Sequence, residues 1–361
     1  MKRSFKRAWR KVQQRILYTR ALRNLRRPVF PVRFRLAVRF LYGAVILTVV
    51  LFTALTVYTV ATLSFPASEP EEKVAPFPVS VDPSNKTIKE DPSLDNFLAN
   101  SGRLRWQFPS LIPKGRFAQF LARLTNSSWY QMAIPGGRLL VIFPGERKEE
   151  VAKNFGDILG WSRDERAQFL ALVTAEEPVL TEGKFYPERY LVGIGASPEE
   201  VSKLVNERFA GEVVDRYQSG AEDILPMADA LIIASLLERE AYDFEDMREI
   251  SGVIWNRLFI NMPLQLDATL QYAKGSRPET STWWPVPIPA DKYINSPYNT
   301  YKNKGLPPTP ISNPSLEAVV AALNPVNTDC LFYFHHDNEF FCSATYEEHV
   351  ANLRRIYGQG R

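Results

Sequence analysis

The chain has 361 residues, of which 45% are hydrophobic and 23% are charged, and its formal net charge is +4. That length allows two or three compact units and does not fix a single domain. Three histidines and two cysteines supply no set of four ligands at zinc-finger spacing, so we predict no metal site. A GxGxxG or Walker-type loop is also absent from the sequence, which argues against a soluble dehydrogenase or nucleotide enzyme and predicts no cofactor.

Charge divides the N-terminal part into two zones. Residues 1–39 contain fourteen Lys and Arg and no Asp or Glu, whereas residues 40–65 contain no charged residue at all. As a helix the uncharged run would extend roughly 39 Å, enough to cross a bilayer with some tilt. A cleaved signal peptide usually has a shorter apolar core, of about 7 to 15 residues. We therefore predict a basic cytoplasmic tail (1–39), a retained transmembrane helix (40–65), and an extracytoplasmic remainder by the positive-inside rule.

The basic tail has two possible partners. A run of cations can bind nucleic acid through phosphates without regard to sequence. The same run beside a membrane helix is attracted to anionic lipid headgroups, and this interpretation needs no further partner. We favour the membrane surface and predict no nucleic-acid partner.

After the predicted membrane helix the chain changes character twice. Residues 66–105 are rich in Pro, Ser, Asp and Lys and show no sustained period, which is typical of a linker. In residues 106–172 the apolar run RLLVIFPGE precedes EEVAKNFGDILG, whose apolar residues recur at helical spacing. Ser162 and Glu165 then have the spacing of a capping box for a second helix. A strand followed by two helices predicts a small α+β unit.

The remainder, residues 173–361, is predicted to be mainly helical with long loops. Ser197 and Pro198 have the form of a helix start, and ILPMADALIIASLLEREA and FEDMREISGVIWNRLFI predict two more helices. Beyond Asn261 the chain is rich in Pro, Asn, Tyr and Trp, a composition of loops. LFYFHHDNEFFCSA predicts a β-hairpin, and a terminal helix should begin near Tyr346.

The two cysteines flank this hairpin. A three-residue turn would place Cys330 opposite Cys342, whereas a two-residue turn at Asp337 and Asn338 would leave them three positions out of register. A disulfide tolerates only a short distance between the two Cα atoms, so the sequence leaves the bridge open.

Two glutamates, Glu238 and Glu240, interrupt an otherwise apolar helix. Successive residues turn by about 100°, which places the two side chains some 160° apart on nearly opposite faces. Glu240 has the bulkier apolar neighbours, including Leu236 and Leu237 one turn before it. Desolvation favours the protonated carboxyl group, which is what a general acid requires. Alternatively both glutamates are ordinary charges on a helix surface.

The order of motifs resolves this choice by resemblance. ASLLEREA, GVIWNRL, MPLQLDATLQYAKG, SPYNTYKNKGLPPTPISNPSLEAVVAALNP and TYEEH resemble, in order and spacing, the catalytic domain of the MltG-type (YceG-like) endolytic murein transglycosylases. The resemblance implies a single-pass inner-membrane protein with a LysM-like module, here residues 106–172, before a YceG-like catalytic domain, here residues 173–361. The family's catalytic glutamate is the second of its ExE pair, which corresponds to Glu240.

Further site residues follow from the same resemblance. Their amide, hydroxyl, carboxylate and aromatic groups are suited to hydrogen bonding and stacking on sugar rings. The implied substrate-binding residues are Asn256, Gln265, Asp267, Thr269, Tyr272, Tyr298, Asn299, Thr300 and Tyr301. Arg257 of the NRL motif has the alternative of a buried ion pair, and Asp267 that of a turn cap.

Three positions depart from the family pattern. Ala268 replaces a usual proline, Ser315 a usual glycine, and Phe340 a usual histidine. We expect the first two to affect loop shape and the third to affect the cleft edge, and we expect none to touch the catalytic glutamate.

The resemblance implies cleavage of the β-1,4 bond between N-acetylmuramic acid and N-acetylglucosamine within peptidoglycan strands. Glu240 would act alone, and the products would carry 1,6-anhydro ends. Two alternatives remain: a non-catalytic glycan-binding scaffold, and a muramidase-type hydrolase in which Asp267 serves as base. The implied partners are glycan strands, the inner membrane and peptidoglycan synthases.

Overall fold

The computed structural model describes most of the chain after residue 74. The described stretches are residues 75–89, 91–100, 137–175, 180–218, 220–337 and 339–358, with four single residues, Tyr42, Gly43, Ile46 and Thr48. Of two compact units, Met1–Pro70 and Glu71–Arg361, the second contains every element named below. The predicted basic tail, and the predicted transmembrane helix apart from those four residues, lie outside the described residues. Within the described stretches no helix is both long and apolar enough to cross a membrane.

The second unit combines helices with short antiparallel strands, which confirms the α+β class. The strands pair as β1 (Val81–Asp82) with β2 (Thr87–Ile88), β3 (Gly137–Val141) with β4 (Arg189–Gly193), and β5 (Phe332–His336) with β6 (Glu339–Ser343). The α-helices are α1 (Ser93–Asn100), α2 (Lys148–Leu159), α3 (Arg163–Thr174), α4 (Pro198–Phe209), α5 (Asp215–Gln218), α6 (Met227–Glu240), α7 (Phe244–Phe259), α8 (Asp267–Gly275), α9 (Leu316–Leu323) and α10 (Tyr346–Tyr357). A π-helical turn (Ala210–Val214) joins α4 to α5, and a 3-10 helix spans Pro289–Tyr293.

The predicted linker is folded over much of its length. Within residues 66–105, the described residues form β1, β2 and α1, and the rings of Phe77 and Phe97 are buried in the large core. The Phe77 ring lies 5.8 Å from that of Phe97 and 6.2 Å from that of Tyr217. The prediction of a tether was wrong here because single aromatic residues without a period can still anchor a segment by burying large apolar rings.

A small core lies between the β3–β4 pair and the helices α2, α3 and α4. Its buried members are Leu140, Ile142, Val151, Ala152, Phe155, Trp161, Phe169, Val173, Phe185, Tyr190, Val192, Ala196, Val201 and Val205. The capping box predicted at Ser162 is formed, with Glu165 as the third helical residue. The helix start predicted at Ser197 and Pro198 is also confirmed, and there Glu200 completes a capping box. The predicted boundary at residue 172 falls inside this core, and the LysM-like module and the domain limits remain predictions.

The large core surrounds α6. Ala230 to Leu237 are all buried, and α6 packs against α7, α8 and α9. The helix ends at Glu240 because Ala241 is extended (φ −91°, ψ 155°) and Asp243 already caps the start of α7, accepting from the Asp246 backbone N–H at 3.0 Å. Glu240 is thereby fixed at the end of a rigid, buried helix.

The hairpin has the two-residue turn, yet the cysteines are joined. His336 pairs with Glu339 and Tyr333 with Cys342, so Cys330 lies out of register with its partner. Cys330 nevertheless precedes β5, where the chain bends enough to bring its Cα within 5.7 Å of the Cα of Cys342, and the disulfide forms.

Candidate active site

Glu240 presents its carboxyl group between α8 and the hairpin. Its Oε1 accepts from the Ala268 backbone N–H at 3.0 Å, and its Oε2 lies 3.4 Å from the Tyr333 hydroxyl. Burial is the largest cause raising the pKa of Glu240, and the nearby charge of Asp267 raises it further. The hydrogen bonds from Ala268 and Tyr333 and the charge of Arg239 act in the opposite direction. The carboxyl therefore holds its proton to higher pH than an exposed glutamate does, while part of the residue remains accessible.

Glu238 lies on the other side of the helix, as the turn of about 100° per residue predicts. It is buried, and its Oε2 accepts from both the backbone N–H and the hydroxyl of Ser315, at 3.0 and 2.5 Å. Ser315 in turn caps α9 by accepting from the Ala318 backbone N–H. Glu238 thus joins two core helices, and only Glu240 faces the predicted substrate-binding loops.

Three of the predicted substrate-binding residues reach the surface, and two of them, Asp267 and Tyr301, lie close to Glu240. Gln265 and Asp267 are exposed and Tyr301 is half-buried. The Tyr301 hydroxyl donates to Asp267 Oδ1 at 2.8 Å, and Asp267 and Tyr301 both interact electrostatically with Glu240. The Asp267 carboxylate and the Tyr301 hydroxyl therefore lie close to the Glu240 carboxyl.

Three others are buried beneath this surface, one in α8 and two in the loop after the 3-10 helix. Thr269, Asn299 and Thr300 each have at most 1% of their surface exposed. The hydroxyls of Thr269 and Thr300 bond to each other at 2.9 Å, and the Asn299 amide donates to the carbonyls of Lys292 and Ile294. Their observed partners are protein groups, and a direct contact with substrate remains a prediction.

Tyr272 and Tyr298 form a ring pair behind the surface, with centroids 4.7 Å apart. Tyr272 is buried beneath the Arg147 guanidinium, 4.2 Å from its ring centroid. The Tyr298 hydroxyl bonds to Thr309 Oγ1 at 2.8 Å. Both rings therefore act as packing, and only the half-buried Tyr298 has surface left to contact a ligand.

Asn256 and Arg257 hold the chain that leads into the hairpin. The Asn256 amide donates to the carbonyls of Thr328 and Cys330 at 2.6 and 3.1 Å. Arg257 donates to the carbonyls of Leu331, Pro263 and Leu264. Backbone carbonyls, and not the carboxylate of an ion pair, are the observed partners of this buried arginine.

Arg239 connects the end of α6 to the small core. Its guanidinium lies 3.8 Å above the Trp284 ring, and the Trp284 indole N–H donates to Glu150 Oε2 at 3.0 Å. Cation–π contacts of this kind hold a loop in place when they are desolvated. The long loop after α8 is thus fixed between Glu240's neighbour and helix α2.

The departures from the family pattern all lie close to the two glutamates. The expectation that none touches the catalytic glutamate was wrong, because the N–H of Ala268, which proline lacks, bonds to Glu240. Ser315 contacts Glu238, and the Phe340 ring stacks on that of Tyr333 at 5.7 Å.

Sequence reasoning missed Tyr333 as a site residue. It belongs to the aromatic run LFYF, where alternation predicts a strand but does not show which ring faces the helix. Its pairing opposite Cys342 and its contact with Glu240 depend on how the hairpin docks. Among the described residues no group of three or more His, Cys, Asp or Glu is arranged to hold a metal ion.

With this geometry described, the relatives can be compared. A sequence model of the YceG-like family matches residues 110–355, more than half of the chain. The chain belongs to the YceG-like family. This confirms the resemblance drawn from the motifs between ASLLEREA and TYEEH.

Named relatives of this YceG-like chain match just under half of its length. An endolytic murein transglycosylase of Bacillus subtilis (strain 168) is 35% identical over 171 residues, 46% of this chain and 46% of the relative. An endolytic murein transglycosylase of Streptococcus pneumoniae (strain D39) is 30% identical over 177 residues, 48% of this chain and 31% of the relative. The matches thus span less than half the length of either relative.

A solved structure agrees at the level of the fold. The crystal structure of a YceG-like protein from Listeria monocytogenes aligns with a TM-score of 0.51 and 26% identity, covering 62% of this chain and 77% of that one.

Proposed function

We propose that the chain is an endolytic lytic transglycosylase of peptidoglycan. The bond cleaved is the β-1,4 bond between N-acetylmuramic acid and N-acetylglucosamine within a glycan strand. The observation that carries the proposal is the Glu240 carboxyl, whose pKa burial raises, close to the exposed Asp267 and the half-buried Tyr301. The names of the B. subtilis and S. pneumoniae relatives support it.

In the proposed reaction one carboxyl group does both proton transfers. Protonated Glu240 gives its proton to the bridging oxygen as the glycosidic bond breaks. The resulting carboxylate then takes the proton of the muramic acid 6-hydroxyl, whose oxygen bonds to the anomeric carbon to form the 1,6-anhydro ring. The product carries the anhydro end, Glu240 is protonated again, and no metal or cofactor takes part. A hydroxyl held next to the reacting carbon has a high effective concentration, so it outcompetes water.

The other predicted residues divide into two roles. Gln265, Asp267 and Tyr301 are placed to contact sugar hydroxyl and acetamido groups. The buried Thr269, Asn299 and Thr300 hold the loop around residues 299–300 against α8 through the hydrogen bonds described above. Tyr272, Tyr298 and Asn256 support the same surface from behind.

One observation favours a hydrolase as the second candidate. The carboxylate of Asp267 is exposed and acts on Glu240 electrostatically, and two carboxyl groups are what ordinary glycoside hydrolysis uses. Its product would carry reducing ends in place of anhydro ends. A binding scaffold would produce no new chain ends.

The chemistry of the chain ends is therefore the test. The full chain is incubated with peptidoglycan, and the released muropeptides are analysed by mass spectrometry. Wild type is expected to give anhydro-muropeptides, and Glu240→Gln, which is nearly isosteric but cannot donate the proton, is expected to give none. Glu238→Gln is the matched control because the amide oxygen can still accept from Ser315, and it should retain cleavage. Full activity of Glu240→Gln would refute the assignment.

The cellular setting belongs to the proposal as well. We infer a single-pass inner-membrane protein with its N-terminus in the cytoplasm, a LysM-like module that binds glycan, and action on nascent strands near peptidoglycan synthases. The Cys330–Cys342 bridge supports an extracytoplasmic site, since disulfides persist in oxidising compartments.

A further inference from the structure

The Glu240 carboxyl has a different donor at each oxygen, and one of them has no assigned role. We propose that Tyr333 is a positioning residue of the reaction: its hydroxyl donates to Glu240 Oε2 once the glutamate has lost its proton, and holds the carboxylate ready to act as base. This inference rests on the proposed transglycosylase function and adds a residue to it.

The two donors differ in kind. The Ala268 backbone N–H at Oε1 can only donate. The Tyr333 hydroxyl at Oε2 can both donate and accept. Oε2 is therefore the oxygen whose partner adapts to either protonation state: Tyr333 accepts from the acid and donates to the carboxylate. At 3.4 Å this contact is longer than an ordinary O–H···O hydrogen bond, and a shift of about half an ångström would bring it within the ordinary range of about 2.5 to 3.0 Å.

Tyr333 remains a phenol throughout. Burial and the adjacent Glu240 raise the pKa of Tyr333 well above its usual value. An ionised phenolate beside the carboxylate would be repelled, so the hydroxyl keeps the proton that it needs to donate.

The hairpin fixes the Tyr333 ring from several sides. Phe340 stacks on one face of the ring, and the His335 ring meets it edge-on at 6.0 Å. His335 is itself held by Asp246, with Nε2 2.9 Å from Oδ1. Arg257 binds the Leu331 carbonyl at 2.6 Å, just before the strand begins. A ring held in this way has little freedom to rotate, which is what a positioning group requires.

Other charged and titratable groups around the carboxyl come from separate elements. Arg239 precedes Glu240 on α6, Asp267 begins α8, and Tyr301 lies in the following loop, bonded to Asp267. Arg257 of α7 lies near Tyr333 and favours its ionised form, against the larger effect of burial. None of these groups is altered by removing one hydroxyl, so the pH dependence of such a variant reports on Tyr333.

The test compares Tyr333→Phe with wild type in the full chain, using peptidoglycan cleavage rates across pH. A hydrogen bond to a charged group contributes about 1.5 kcal/mol, so the expected loss in rate is roughly tenfold. The bond also stabilises the carboxylate, so its loss should raise the pKa of Glu240. Cleavage by a general acid falls as pH rises through that pKa, and the alkaline limb of the profile should therefore move to higher pH.

Tyr346→Phe is the matched control. Tyr346, at the start of α10, is 61% exposed and packs on Phe332, which lies beside Tyr333 in β5. The substitution therefore removes a hydroxyl near the hairpin without reaching Glu240. It should match wild type in rate and in pH profile.

Two results would overturn the proposal: an unchanged rate, or a slower Tyr333→Phe whose alkaline limb stays in place, which indicates a structural role alone. If Tyr333→Phe does not fold, Phe340→Leu loosens the ring but keeps the hydroxyl, and should give a smaller change in the same direction; no change there refutes the role. Failure of the proposed function is recognised separately, since wild type itself would then release no anhydro-muropeptides.

Discussion

The hydroxyl of Ser315 donates to the carboxylate of Glu238 at 2.5 Å, on the side of α6 away from Ala268 and Glu240. Two glutamates separated by one residue thus have different surroundings. Glu238 is bound by donors at the start of α9, where a negative charge is also favoured by the helix dipole. Glu240 lies at the C-terminal end of α6, where the helix dipole disfavours a negative charge and so acts in the same direction as burial, which raises its pKa.

Glu238→Ala is expected to reduce stability without removing the chemistry. The substitution leaves the Ser315 backbone N–H and hydroxyl without their acceptor, at a cost of about 1 to 3 kcal/mol. Urea unfolding measures the loss, and the cleavage assay below the unfolding transition should give an unchanged pH profile. Ser315→Gly keeps the backbone donor and should cost less. A Glu238→Ala protein as stable as wild type would contradict the structural role.

Ala268→Pro removes the other donor to Glu240. Because the N–H bond favours the carboxylate, its loss should raise the pKa of Glu240 and move the alkaline limb of cleavage to higher pH. The rate on the plateau should fall by about 3- to 10-fold, the equivalent of one modest hydrogen bond. Proline is tolerated in the first turn of a helix, and Ala268 is the second residue of α8.

Ala268→Gly is the control for this substitution. It keeps the N–H and should leave the alkaline limb of the cleavage pH profile unchanged, although the helix loses a little stability. An alkaline limb that does not move in Ala268→Pro would show that the backbone N–H has no influence on the acid.

Local patterns predicted much of this fold. The apolar period predicted α6 and α7, the S-x-x-E pattern predicted the start of α3, the Ser197-Pro198 pair predicted the start of α4, and alternation around HHDN predicted the hairpin. These signals depend on residues only a few positions apart, so they can be read from sequence directly. The rotation of about 100° per residue likewise predicted that Glu238 and Glu240 lie on opposite faces of α6.

Contacts between distant segments could not be predicted in the same way. The Ala268 N–H reaches Glu240 across 28 positions and Tyr333 reaches it across 93, and no local period encodes such distances. The burial of Phe77 on Tyr217 has the same character. The family resemblance supplied the role proposed for Glu240, but it could not supply the partners created where this chain departs from the pattern.

A last prediction concerns stability and pH at Glu146, a buried residue between β3 and α2. Burial is the main cause that raises the pKa of Glu146 to about 8. Its Oε2 accepts from the Phe143 N–H and its Oε1 from the Asn154 amide, both at 3.0 Å. Both hydrogen bonds favour the ionised form, but burial outweighs them, so the folded state favours the protonated form. This contribution is complete below the pKa of the unfolded chain, about 4.5, and is lost as pH rises towards 8, so stability should decline across that window.

Glu146→Gln is expected to reduce that decline. Glutamine stays neutral, its oxygen can accept from Phe143, and Asn154 can turn its amide to present an oxygen. At pH 8 the variant should be the more stable protein, by at most about 5 kcal/mol since one pKa unit corresponds to about 1.4 kcal/mol, while near pH 5 the two should be similar. Urea unfolding between about pH 5 and 8.5 measures the difference. Glu207→Gln, at an exposed position of α4, is the matched control and should keep the wild-type decline. Equal slopes for Glu146→Gln and wild type would show that Glu146 does not take up its proton on folding.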